Sequence, residues 1–217
     1  MPLDESRTPV ICQPLVLGAD IVVYSATKYL CGHSDVTAGI IISNRETIDS
    51  VYSVGLLYGQ TLSPFDAWLL VRSLRTLELR VRQHSQNAME LARYLEGLPS
   101  VSNVYYPGLE SSATKAVALR NFQNDLFGGM LSIELAGGEK AVYSLFRNLK
   151  TIKFAPSLGG VSTTTSYPAK TSRRSFTDEE LEKANISKGL VRISVGLENI
   201  DDIISEFQEA ISNINTA

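Results

Sequence analysis

The sequence predicts an α/β fold in two parts, and three observations carry that prediction. Short apolar, β-branched runs at residues 21–25 and 38–43 read as strands. A helical stretch opens at Ser63-Pro64 with good capping chemistry. Beyond Pro99, strand and helix patterns alternate to the end of the chain.

Taken in order, Ile21-Val22-Val23-Tyr24 is the first strand and the run 38–43 the second. Ser63 is a suitable N-cap, with Pro64 at the first helical position and Asp66 in the first turn. Trp68, Leu74, Leu77 and Val81 keep an approximate helical period, and the pattern runs on to Leu98, where Gly97 and Pro99 end it. Strand 101–105, a turn at Pro107-Gly108, helix 114–121, strand 130–135, a turn at Gly137-Gly138 and helix 140–149 follow. Thr177-Asp178-Glu179-Glu180 fits a capping box that opens a short helix before strand 190–195. Asn199 caps a last helix whose Ile200, Ile203, Ile204, Phe207 and Ile211 form one apolar stripe, read as core. The segment 156–166, rich in glycine and hydroxyls, is too polar for a packed element and reads by itself as a surface loop.

Composition narrows the function. The chain has 217 residues, is 44% hydrophobic and carries a formal charge of -3, with no apolar run long enough to span a bilayer, so a soluble cytoplasmic protein is expected. Lys+Arg 20 against Asp+Glu 23 leaves no net basic field for nucleic acid, and Arg72, Arg75, Arg80 and Arg82 are expected on a solvated or intersubunit helix face. The start Met1-Pro2-Leu3-Asp4 lacks the regions of a signal peptide. Cys12 and Cys31 make no disulfide framework, and Cys31 reads as a packing residue close to Lys28. The histidines, His33 and His84, lack metal-ligand spacing; His33 is expected to order the loop after Lys28 by hydrogen bonding. Gly128-Gly129 precedes a strand, where a phosphate cradle would follow one, so a nucleotide site is not expected.

The chemistry concentrates in Ser25-Ala26-Thr27-Lys28-Tyr29. Lys28 falls just past the carboxyl end of a strand, where open α/β sheets bind ligands. A lysine there can condense with an aldehyde cofactor such as pyridoxal 5′-phosphate, and Ser25 and Thr27 offer hydroxyls for its phosphate.

These residues are also familiar. The run from Leu17 to Gly39 resembles the signature of the Cys/Met-metabolism family of pyridoxal-phosphate enzymes, which includes cystathionine γ-synthase, cystathionine lyases, methionine γ-lyase and homoserine sulfhydrylases. The similarity continues through Ser63-Pro64, Ala67-Trp68-Leu69, Tyr106-Pro107-Gly108-Leu109, Gly128-Gly129-Met130, Ser157-Leu158-Gly159-Gly160 and Leu190 to Gly196. It implies a partial fold-type I large domain over 1–79, followed by the small carboxyl-terminal α/β domain over 80–217. The chain then corresponds to the carboxyl-terminal half of a longer enzyme, whose other half carries a Tyr-x-Arg for the phosphate, a glycine-containing phosphate loop and a ring-stacking tyrosine. The family's aspartate for the pyridine nitrogen falls at Leu3, with Asp4 one residue out of register.

By the same resemblance, Lys28 is the cofactor lysine and the base for the substrate α-proton, Ser25 and Thr27 hold phosphate, and Ser157 with Arg192 holds the substrate carboxylate. From the residues alone, Arg192 sits on an ordinary half-exposed strand, with Leu190 and Ser194 on its face; a planar guanidinium is nonetheless the natural bidentate partner of a carboxylate. The expected reactions are elimination or replacement on cystathionine, methionine or activated homoserine. Members using γ-chemistry on cystathionine often carry Gly-Val-Glu-Ser where this chain has Gly160-Val161-Ser162-Thr163, and Tyr24 stands where many have histidine, so lyase and synthase both stay open. The family usually assembles as tetramers, which implies a homo-oligomer or a partner supplying the other half. The alternative is a catalytically inactive fragment or assembly module of the same fold.

Overall fold

The structure is a computed structural model and describes residues 2–5 and 8–216, without the side chains of 2–5, 215 and 216. The elements run β1 (Pro2–Glu5), β2 (Ile21–Ser25), β3 (Gly39–Ile42), α1 (Arg45–Tyr58), α2 (Pro64–Leu74), α3 (Leu77–Glu96), β4 (Val101–Tyr105), α4 (Lys115–Asn121) and β5 (Met130–Leu135). They continue with α5 (Gly138–Asn148), β6 (Lys153–Phe154), β7 (Thr164–Ser166), α6 (Asp178–Lys183), β8 (Leu190–Ser194) and α7 (Ile200–Ser212). Short 3-10 turns occupy Pro168–Lys170 and Asn213–Thr216.

Two sheets organise the chain. In the first, β2 is central, parallel to β1 and antiparallel to β3. The second has the order β4-β5-β8-β7-β6 and is antiparallel except for the short β6–β7 pair. The apolar core divides likewise. One cluster gathers Ile11, Val22, Tyr24, Tyr29 and Leu30 under Leu77 and Val81 of α3. The larger packs α3 from Ala88 onward, α5 and α7 against β5 and β8, with Phe207 of α7 fully buried. Burying a phenylalanine this way contributes about 2–3 kcal/mol.

Local chemistry explains the helix starts. The Asp66 N–H donates to Ser63 Oγ at 3.1 Å, the capping box at Thr177 and Glu180 is complete, and the Asp201 N–H donates to Asn199 Oδ1. Of the C-terminal stripe, Ile203, Phe207 and Ile211 are buried, while Ile200 and Ile204 pack at its margin.

Several expectations need correction. The long helix from Ser63 is two helices, broken at Arg75-Thr76, and Trp68 and Leu74 face outward rather than sharing a core stripe with Leu77 and Val81. Helix α1 was not expected: it buries none of its residues, so no core-facing stripe marked it, although Asn44 caps it and Gly59 ends it at φ 68°. The polar segment 156–166 contains β7, whose Thr165 and Ser166 are buried. Strand pairing with β8 satisfies its backbone, which is how so polar a stretch becomes interior. Arg80 is buried, unlike exposed Arg72, Arg75 and Arg82. The side chains of Leu3 and Asp4 lie outside the described part, although β1 places Leu3 opposite Val22 and Asp4 opposite Val23.

Candidate active site

Strand β2 ends at Ser25 and the chain turns at once. The Lys28 N–H donates to Ser25 O, Cys31 N–H to Ala26 O and Gly32 N–H to Lys28 O at 2.7 Å, closing a tight one-turn coil that carries Lys28. Thr27 ties the coil to the start of β3: its Oγ1 accepts from Ala38 N–H at 3.0 Å, and its own N–H donates to Ala38 O. Gly32 adopts φ 74°, the left-handed conformation that lets the chain leave the coil. His33 Nδ1 lies 2.6 Å from Cys31 O, the loop-ordering contact expected of it.

Lys28 itself is half-buried, and among the described residues its amine makes no hydrogen bond or ion pair. Ser25 Oγ is likewise uncommitted, so Ser25 is the freer of the two hydroxyls and Thr27 is spent largely on the turn. Cys31 is fully buried, its thiol pushed up chiefly by desolvation and by the Asp35 carboxylate that accepts its S–H at 3.2 Å. It is a packing residue within the coil.

The second half of the site comes from the other sheet. Strand β8 buries Val191 and Ile193 on one face, and half-buried Arg192 stands on the opposite face. That face is covered, not open as the bare alternation suggests. The loop 156–161 lies over it: Gly159 N–H donates to buried Ser194 Oγ at 2.8 Å, and Arg192 Nη2 donates to Pro156 O at 2.6 Å and Ser157 O at 3.4 Å. Desolvation pushes the Arg192 guanidinium below its usual value. Its remaining donors and the Ser157 hydroxyl are unspent among the described residues.

Contacts between the loops bring the two halves together. Val161 N–H donates to Gly32 O at 2.9 Å, and a Cβ at Gly159 would meet Tyr29 N and the Tyr29 ring at 2.9 Å, one residue from Lys28. Gly159, at φ 71°, is therefore required both by conformation and by close approach. Lys28 and Ser157 thus sit on touching loops, and Arg192 of β8 holds the second of them.

Three supporting residues escaped the sequence reading. Arg80 lies beneath the Lys28 coil, with desolvation pushing its guanidinium down from its usual value. His84 is fully buried, its Nδ1–H donates to Val195 O at 2.7 Å, and its imidazole pKa is lowered to about 4 chiefly by desolvation, with the Arg80 cation adding to the effect. Its Nε2 has no partner among the described residues. Glu198 accepts from both the backbone N–H and the hydroxyl of Thr163, pinning the stretch after Gly160-Val161. The available signal was a run of polar residues at helical spacing, Arg80, His84 and Asn87, which reads equally well as a solvated face.

An amine with no partner among the described residues, on a coil that also carries the Ser25 hydroxyl and touches the loop held by Arg192, suits a phosphorylated carbonyl cofactor and an amino-acid carboxylate. The residues therefore fit the class of enzymes that hold pyridoxal 5′-phosphate on a lysine. Sequence shows the family directly: residues 4–212 match the Cys/Met metabolism PLP-dependent enzymes, and the chain belongs to that family. It is 43% identical over 209 residues to the L-methionine gamma-lyase of Fusobacterium nucleatum subsp. polymorphum, covering 95% of this chain and 52% of that protein. The cystathionine beta-lyase of Lactococcus lactis subsp. cremoris is 44% identical over 207 residues, covering 94% and 53%. Among solved structures, cystathionine gamma synthase from Xanthomonas oryzae pv. oryzae, in complex with aminoacrylate and cysteine, superposes with a TM-score of 0.94 at 38% identity, covering 99% of this chain and 56% of that one. Yeast cystathionine gamma-lyase gives 0.95 at 36% identity with the same coverage. The chain spans about half the length of these relatives. The family's cofactor is pyridoxal 5′-phosphate, and no helix among the described residues is long and apolar enough to cross a membrane.

Proposed function

We propose that the chain supplies the cofactor lysine and the substrate-carboxylate site of an enzyme of sulfur amino-acid metabolism, acting by elimination or replacement on cystathionine, methionine or an O-acyl homoserine. One observation carries the reading: the loop held by Arg192 touches the coil that carries Lys28. When bound, the cofactor contributes an aldehyde for the amine and a ring that takes up negative charge from the substrate α-carbon.

The chain's own residues do the rest. Lys28 would hold the cofactor through its amine, and the same amine, when free, would serve as the base that takes the substrate α-proton and returns it at a neighbouring carbon. Ser25 would donate its hydroxyl to the phosphate, with Thr27 beside it. Arg192, held by the Pro156 and Ser157 carbonyls through Nη2, would present its remaining donors to the α-carboxylate together with the Ser157 hydroxyl, fixing which substrate bond faces Lys28. Exposed Ser162 occupies the position where family members handling cystathionine by γ-chemistry often carry glutamate, so the choice between lyase and synthase does not rest on a carboxylate there.

The same proposal places the boundary of the two domains near residues 79–80, a little before the core changes along α3, where Leu77 and Val81 join one cluster and Ala88 and Leu91 the other. It also includes a cytoplasmic location and self-assembly. Assembly without turnover is the second reading; exposed Leu57 and Tyr58 on α1, a helix burying nothing of its own, favour it.

The test is borohydride reduction of the purified chain with pyridoxal 5′-phosphate, followed by peptide mass mapping against Lys28→Ala. A pyridoxyl-phosphate group fixed at Lys28 and lost in the variant supports the enzyme reading. Folded protein that fixes no cofactor at Lys28 rejects the enzyme reading for this chain alone and favours assembly.

A further inference from the structure

Under the Lys28 coil lies a buried cation whose neighbours are carbonyls and a hydroxyl rather than carboxylates. Arg80 is 5% exposed, and its guanidinium donates to Tyr29 O at 2.8 Å, Leu30 O at 3.2 Å, Ser73 O at 3.0 Å and Thr76 Oγ1 at 3.2 Å. It thereby joins the two residues after Lys28 to the C-terminal end of α2. Gly32 is part of the same fit, since a Cβ there would lie 2.2 Å from Arg80 Nη1. One and two turns further along α3, His84 meets Val195 O, and Asn87 donates to Gly196 O and Glu198 O at the exit of β8. A single helix face therefore grips the coil of Lys28 on one side and the strand of Arg192 on the other.

We propose that Arg80 is a positioning residue that aims the Lys28 amine, and that through α3 it registers that amine against Arg192 and the Ser157 loop that Arg192 holds. The inference rests on the reading of Lys28 as the cofactor lysine. Charge alone does not meet the requirement: only the planar fork reaches Tyr29, Leu30 and Ser73 at once, so lysine at this position cannot replace it.

The experiment compares the parent with Arg80→Lys and with Arg80→Ala, the latter with and without guanidinium ion. Two quantities are read: the rate of borohydride-trapped pyridoxal 5′-phosphate fixation on Lys28, and hydrogen exchange at the Cys31 and Gly32 amides, with the amides of β5 and β8 reporting the fold. Fixation in Arg80→Lys is expected to slow by at least about ten-fold, because a misplacement of about 1 Å can cost up to about a hundred-fold. Exchange at Cys31 and Gly32 should accelerate while β5 and β8 stay protected, and guanidinium should restore both properties to Arg80→Ala. Parent-like fixation in folded Arg80→Lys overturns the proposal. Should the parent fix no cofactor, the reading of Lys28 fails separately, and unchanged exchange at Cys31 and Gly32 in the variants then overturns the positioning role as well.

Discussion

His84 should make this protein acid-sensitive by an amount the structure allows one to work out. The imidazole is fully buried, and its pKa falls from 6.5 to about 4, mainly because burial disfavours the charged ring; the Val195 carbonyl opposes the shift and the Arg80 cation reinforces it. The unfolded chain therefore binds a proton that the folded chain rejects throughout this interval, and stability falls as pH falls. The contribution is fully present above about pH 6.5 and is lost as pH drops towards about pH 4. A difference of about 2.5 units corresponds to about 3 kcal/mol in total, of which about 2 kcal/mol is lost between about pH 7.5 and about pH 5. The perturbation is His84→Asn, which keeps a donor near the Nδ1 position for Val195 O and removes the titrating ring. Urea unfolding at several pH values is the assay. The variant should be less stable at neutral pH by about 1–3 kcal/mol through the space it leaves, yet lose about 2 kcal/mol less than the parent on acidification. Equal pH slopes for parent and variant would refute the reasoning, whatever their absolute stabilities.

Other expectations follow from single contacts. Gly159→Ala forces a side chain into the Tyr29 ring at a positive φ, so it should destabilise by about 1–3 kcal/mol and accelerate exchange at Val161 N–H, measured by denaturation and hydrogen exchange. Phe207→Ala opens the larger core and should cost about 3–5 kcal/mol in urea unfolding, with residues 21–36 less affected than β5 and β8. Arg192→Lys keeps the charge and loses the fork; in the cofactor-loaded enzyme KM for an amino-acid substrate should rise by about ten-fold or more while borohydride fixation at Lys28 stays intact, and an unchanged KM would remove Arg192 from the carboxylate site. Thr177→Ala should cost about 1 kcal/mol through loss of the capping box, with little effect on the site, as read by thermal unfolding.

The sequence by itself determined most of the elements of this protein and singled out Lys28 as its candidate cofactor lysine. Strands β2, β4 and β5 lie where alternation and β-branching placed them, and the caps at Ser63, Thr177 and Asn199 form because side-chain oxygen and backbone N–H are neighbours in the chain. Lys28 was legible for the same reason: strand, hydroxyls and lysine are contiguous. Only the tertiary structure decided what depends on residues meeting from afar. Arg80 belonged to a charge group indistinguishable from a solvated face until Tyr29, Leu30 and Ser73 turned their carbonyls towards it. The polar run at 163–166 is interior because β8 and Glu198 satisfy it, and α1 has no inward stripe because nothing in the described chain covers it. Local hydrogen bonds and periodicity are written within a few residues, whereas burial of a polar group depends on partners that only the folded chain brings within reach.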